Sequence, residues 1–137
     1  MMSQTTSDTP HLFEDDLPEK SADTERKIFA EWASSVPFRK QAEDFEIHNS
    51  AELDIKVAPF LQSLNLSRKG YLLVQIPGPE HAPFHHSKGD AFIIPVEILD
   101  GSPSASGKPL WEGKRLFMKA KHEVKIAPKL RLLFILL

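Results

Sequence analysis

Cysteine is absent from the 137-residue sequence. Without thiols the chain can form no disulfide bridge and offers no thiolate as a nucleophile or metal ligand, which favours a reducing, cytoplasmic location. No apolar run reaches the roughly 20 residues that a membrane-spanning helix needs. Residues 1–18 lack the basic and apolar regions of a signal peptide. The sequence therefore predicts a cytoplasmic protein with no membrane span.

Motifs that would identify a reaction are also lacking. Residues 101–109 resemble a phosphate-binding loop at first sight, but five residues instead of four separate the two glycines, and Pro109 takes the place of the hydroxyl residue that contacts magnesium. The G-x-S-x-G elbow of serine hydrolases does not occur. No cofactor is predicted, and the sequence favours a non-catalytic protein over an enzyme.

The composition is typical of a globular domain, with 41% hydrophobic and 26% charged residues. Residues 1–20 are rich in Ser, Thr, Asp and Pro and have little hydrophobic periodicity, so they are interpreted as a flexible acidic tail. Residues 21–137 are long enough for one hydrophobic core and are predicted to form a single domain.

An amphipathic helix is predicted at Ser21–Ser35, because Pro37 ends the helical pattern and apolar residues recur at helical spacing. This helix is expected to pack on a sheet through one face. The predicted buried face comprises Ile28, Phe29, Trp32, Ala33 and Val36.

The second half of the chain has the pattern of β-strands. Asp90–Leu99 is rich in β-branched residues and has turn signals on both sides, and its Pro95 requires a sheet edge or a bulge. Tyr71–Ile76 is a second strand. Leu130–Leu137 is apolar on both faces and should therefore be central or covered. The predicted fold class is α+β, with an N-terminal helix packed on an antiparallel sheet or a small, partly open β-barrel.

Residues 38–57 are compatible with a helix or with a hairpin, and both alternatives remain open. Leu53–Val57 alternates between apolar and polar residues, which favours a strand. Pro59 suits the first turn of a helix, so a short helix is predicted at Pro59–Leu66.

Charge is unevenly distributed along the chain. Residues 1–32 carry eight acidic and three basic residues, whereas residues 108–131 carry eight basic and two acidic ones. Arg115–Ile126 alternates regularly and is predicted to be one strand with an apolar and a basic face. We call the predicted outward-facing set the basic face; it comprises Arg115, Phe117, Lys119, Lys121 and Lys125.

The basic face and the apolar C-terminal strand are the predicted contact surfaces of an adaptor or assembly subunit. Its partner is expected to be a protein or a second copy of the chain, because the charge asymmetry favours association. The alternative is a nucleic-acid-binding accessory protein, since lysines around an aromatic residue on a sheet can bind single-stranded DNA or RNA.

Histidines provide one further candidate site. His81, His85 and His86 lie in one loop and could ligate a transition metal, which would make the protein a metal-dependent enzyme. Their spacing matches no established metal motif, so a solvated loop is the simpler interpretation. His122 falls on the apolar face of its predicted strand and is expected to be a buried, neutral histidine.

Overall fold

The computed structural model describes residues 12–18, 20–85 and 88–137. These residues form two helices and eleven strands in two open antiparallel sheets, which confirms the α+β class and the sheet rather than the barrel alternative. The helices are α1 (Lys20–Ala33) and α2 (Ala51–Ser63), and neither is long and apolar enough to cross a membrane.

The strands occur in two groups. One sheet has seven strands and the other has four. In chain order the strands are β1 (Leu12–Asp16), β2 (Arg39–Lys40), β3 (Glu46–His48), β4 (Gly70–Ile76), β5 (Ala82–His85), β6 (Ala91–Ile98), β7 (Ser104–Ala105), β8 (Lys108–Pro109), β9 (Lys114–Met118), β10 (Glu123–Ile126) and β11 (Leu130–Leu136).

The large sheet separates two hydrophobic cores. Its strand order is β1-β9-β6-β11-β4-β3-β2, and the small sheet has the order β5-β10-β7-β8. One core contains buried side chains from both sheets, and the other contains those of α1 and α2 with the opposite face of the large sheet. The fold therefore has three layers, and the helices are not at its N-terminal end, because β1 precedes α1.

The C-terminal strand β11 is the centre of the large sheet. It pairs with β4 on one side and β6 on the other. Leu132 and Leu133 point into opposite cores and are fully buried. The prediction that this strand is central or covered is confirmed. Its use as a contact surface is ruled out by the same burial, since both its edges and both its faces are occupied.

The predicted strand at Asp90–Leu99 is confirmed as β6. Its register against β11 shifts between Arg131 and Leu132, which pair with Glu97 and Pro95, so Val96 is the extra residue of a bulge. Pairing of β6 with β9 stops at Ile93. Pro95, which has no N–H to donate, therefore lies beside the bulge and beyond the end of the β9 pairing.

Arg26 of α1 is the one charged residue that is buried in the described part of the chain, with 4% of its surface exposed. It donates to the Val96 carbonyl at the bulge (2.8 Å) and to Asp23 (2.7 Å). This hydrogen bond lowers the pKa of Asp23 against the opposing effect of burial. The stabilisation from the pair is therefore present above the ordinary pKa of Asp23 and is lost as the pH falls through the lowered one.

The helix predicted at Ser21–Ser35 is confirmed as α1, but its buried face is rotated from the predicted one. Ile28 is 61% exposed although it was assigned to the core. The apolar periodicity predicts the wrong face because one of the buried residues of α1 is Arg26, and a search for apolar residues does not include an arginine. The residues that are buried are Ala22, Arg26, Phe29, Ala30 and Ala33.

The predicted strand at Leu53–Val57 is wrong, because these residues belong to α2. Ser50 caps the helix by accepting a hydrogen bond from the Leu53 N–H (3.2 Å). Ile55 completes the apparent strand alternation but is 71% exposed, and the buried residues follow helical spacing instead. Residues 38–57 are neither one helix nor one hairpin: β2 and β3 pair as a hairpin, and the residues from Ala51 onwards belong to α2.

The predicted single strand Arg115–Ile126 is also wrong. It consists of β9 in the large sheet, a turn in which Lys121 has a φ of 67°, and β10 in the small sheet. The alternation continues across the turn because Met118 and Val124 face the same core between the sheets. His122 is exposed at this turn and is not the buried histidine that was predicted.

Candidate strand-pairing interface

The acidic segment before α1 forms the outer strand of the large sheet. Residues 1–20 were interpreted as a flexible tail, but Leu12–Asp16 pair antiparallel with β9 as β1. The low hydrophobicity of this segment predicts disorder. The pairing of its residues with β9, about 100 positions later in the chain, is not visible in the local sequence. Residues 1–11 and 19 lie outside the described residues, so that part of the prediction is untested.

One face of this β1–β9 edge combines an ion pair with aromatic contacts. Asp15 is paired with Arg115, and its Oδ2 accepts from Nη2 at 3.1 Å. Phe13 is paired with Phe117, with ring centroids 6.1 Å apart. Phe92 of β6 continues the row, because it contacts Phe117 at 5.7 Å and has the Arg115 guanidinium 4.2 Å from its ring centre.

The other face combines apolar and charged contacts. Leu12 is opposite Met118 and buried with it in the core between the sheets. Lys114 reaches two carboxylates, Asp16 at 3.1 Å and Glu14 at 3.6 Å. The hydrogen bond and charge of Asp16, followed by the charge of Glu14, raise the pKa of Lys114. Four of the five residues of β1 thus lie opposite a chemically matched residue of β9, and Glu14, which lies opposite Leu116, pairs diagonally with Lys114.

These contacts are numerous, but they are individually weak. Ion pairs as exposed as those of Lys114 contribute little to stability because solvent screens them. Leu12 is the only residue of the five in β1 that is buried. Leu17, just beyond the strand, is buried among the helices and anchors the following chain. The β1 strand is therefore specifically placed but weakly held.

The basic face is divided between the two sheets. Arg115 and Phe117 are partly buried beneath β1, and the Lys119 ammonium lies 5.7 Å from the centre of the Phe13 ring. Lys121 lies in the turn and Lys125 on β10, where both side chains are exposed. The structure therefore brings Arg115, Phe117 and Lys119 together at the β1–β9 edge. Lys125 lies apart from them in the small sheet, and Lys121 lies in the turn between the two sheets.

Comparison with known proteins assigns no family: no protein-family model and no curated protein match the chain.

A groove adjoins the β1–β9 edge. It has a volume of about 270 Å³ and an exposed rim residue, Trp111, at 53% exposure. Leu110 and Trp111 also line a shallow depression that reaches Glu14 and Lys114, so the groove lies beside the edge. We call it the Trp111 groove; its lining is Ile98, Gly101, Ser102, Pro103, Ser104, Gly107, Pro109, Leu110 and Trp111.

The Trp111 groove is not predicted from the sequence, in which residues 101–109 resemble only an incomplete phosphate-binding loop. The available signal was Trp111, since aromatic side chains line grooves that accept extended peptides.

The histidine loop is only partly described. His81 and His85 are exposed, and His86 lies outside the described residues. Among the residues that are described, no group of three or more metal-ligating side chains is close enough to hold an ion. The three-histidine metal site and the metal-dependent enzyme that it implies stay predictions.

Proposed function

We propose that the protein is a non-catalytic adaptor or assembly subunit that binds an acidic segment of a protein partner through its basic face. The observation that carries this proposal is the β1–β9 edge, where Arg115 of the basic face pairs with Asp15 of an acidic strand of the chain itself, and the neighbouring Lys114 pairs with Glu14 and Asp16. A surface that accommodates one acidic strand has the charge and backbone geometry to recognise another.

The exposed lysines extend this surface beyond β1. Lys119, Lys121 and Lys125 follow β9 in sequence, and all three are exposed. They supply a positive field for steering an acidic partner, whose strength depends on ionic strength. The proposal includes a cytoplasmic location, which the absence of cysteine supports.

Packing argues against the nucleic-acid alternative. Binding of single strands relies on bases stacking on exposed aromatic rings. Phe117 is the only aromatic residue of the basic face, and its ring contacts those of Phe13 and Phe92. A ring held between two others offers less surface to a base. Protein binding is therefore favoured over nucleic-acid binding on the same lysines.

Charge reversal tests the proposal. The variant carries Lys119→Glu, Lys121→Glu and Lys125→Glu, and the control carries Lys20→Glu, Lys56→Glu and Lys69→Glu, which change the net charge equally at exposed positions elsewhere. Proteins retained from a lysate of the source cells are quantified by mass spectrometry on immobilised full-length chain. We expect an acidic protein that is retained by the wild type and the control and is depleted at least about tenfold on the variant, as the loss of about 1.4 kcal/mol of binding free energy implies.

Two results would contradict the proposal. One is a set of retained proteins that does not differ between the variant and the control. The other is tight binding of a single-stranded oligonucleotide that weakens steeply with salt, since counterion release is the signature of phosphate contacts.

A further inference from the structure

The β1–β9 edge is a preformed acceptor for a strand. β9 pairs with β6 through residues 91–93 on one side and with all five residues of β1 on the other. Removal of β1 would leave the outer backbone groups of β9 unpaired beside Lys114 and Arg115. An edge of that kind recruits another extended segment through main-chain hydrogen bonds, and side chains determine which one.

The end of β1 lies near the Trp111 groove. Asp16, the last residue of β1, is opposite Lys114, and a turn closed by a hydrogen bond from the Lys114 N–H to the Trp111 carbonyl (3.3 Å) keeps Trp111 close to Lys114. In the chain itself Leu17 turns away into the helical core. A strand that is not joined to α1 can instead continue past Lys114, and three residues span up to about 10 Å.

We propose that β1 is an exchangeable cover of the β9 edge, and that the acidic segment of the partner replaces it as an antiparallel strand and continues into the Trp111 groove. This inference rests on the proposed function and specifies its partner. The partner segment has the chemistry of β1: an apolar and an aromatic residue, then two or three carboxylates. A short spacer and an apolar or proline residue follow, to fill the groove.

The internal strand then acts as a competitor. A tethered segment has an effective concentration in the millimolar range, so it reduces the apparent affinity of the site for a free peptide. The observed dissociation constant rises in inverse proportion to the fraction of molecules in which β1 is open. The partner can still displace β1 because it makes additional contacts in the Trp111 groove, which β1 does not occupy.

A reversible crosslink tests the exchange in the full-length chain. Glu14→Cys and Leu116→Cys place two thiols on directly opposed residues and leave Lys114 and Arg115 in place, at a separation that a disulfide can bridge. The chain has no other cysteine. Oxidation therefore locks β1 in place and reduction frees it within the same polypeptide, so a folding defect cannot explain a difference between the two forms.

The probes are two fluorescent peptides with blocked ends. One is Leu-Phe-Glu-Asp-Asp and the other is the same sequence followed by Gly-Ser-Pro-Leu-Pro. We expect the reduced form to bind the longer peptide at least tenfold more tightly than the oxidised form. The longer peptide should bind more tightly than the shorter one, and Trp111→Ala should remove that difference.

Equal binding by the oxidised and reduced forms would overturn the inference, and so would equal binding of the two peptides. A disulfide-linked dimer after reoxidation would also overturn it, because the occupant of the edge would then be a second copy. None of these results bears on the charge-reversal experiment, which tests the proposed function separately through Lys119, Lys121 and Lys125.

Discussion

Replacing Arg26 with alanine is expected to lower the free energy of unfolding by about 2–4 kcal/mol. The guanidinium connects three parts of the fold. It donates to the Val96 carbonyl, binds Asp23 and lies 3.6 Å from Glu112, whose other oxygen accepts from the Ile98 N–H at 2.7 Å. The variant leaves a buried carbonyl at the bulge without its donor.

The control for this prediction is Lys27→Ala. Lys27 contacts the same carboxylate, Asp23, at 3.6 Å, but its side chain is 70% exposed. Its replacement should change stability by less than about 0.5 kcal/mol. Chemical denaturation of both variants provides the comparison. Equal effects would show that the buried arginine is not the connection between α1 and β6 that the geometry describes.

Leu133→Ala in β11 is expected to cost about 2–5 kcal/mol, the range for deleting buried leucine side chains. Leu133 is fully buried in the core under the helices, in the strand at the centre of the large sheet. Leu137→Ala is the matched control, because Leu137 is 36% exposed and lies just beyond β11. An effect of Leu133→Ala as small as that of Leu137→Ala in thermal or chemical denaturation would contradict the burial of β11 in the core under the helices.

The elements that the sequence predicts correctly are those with redundant signals. β6 combines β-branched composition with turn residues at both ends, and β11 combines a continuous apolar run with Pro128 shortly before it, so their assignment does not depend on one position. The helix α1 is predicted for similar reasons. The buried face of α1 is not predicted correctly, because Arg26 occupies a core position and Ile28 faces solvent.

The errors come from alternation that local sequence cannot interpret. Leu53, Ile55 and Val57 alternate by coincidence, since Ile55 faces solvent on a helix. Leu116 and Val124 lie in phase although they belong to different sheets, because both sheets face one core. Alternation in the sequence predicts which side chains face the core. It does not predict where one strand ends and the chain passes into a different sheet.

The candidate interface was predicted in part. The excess of basic residues around β9 is visible in the sequence, and so is the excess of acidic ones near the N-terminus. Their direct pairing through Asp15 and Arg115 depends on register, which only coordinates provide. The Trp111 groove arises from chain segments that meet only after folding.

Amide hydrogen exchange tests most directly the claim that the basic edge is covered by a weakly held acidic strand. The hydrogen-bonded amides of residues 12–16 should exchange through local opening, with a free energy well below that of global unfolding, whereas those of β11 should exchange only when the whole chain unfolds. If the amides of β1 are as strongly protected as those of β11, the strand is a permanent part of the sheet and the account is contradicted.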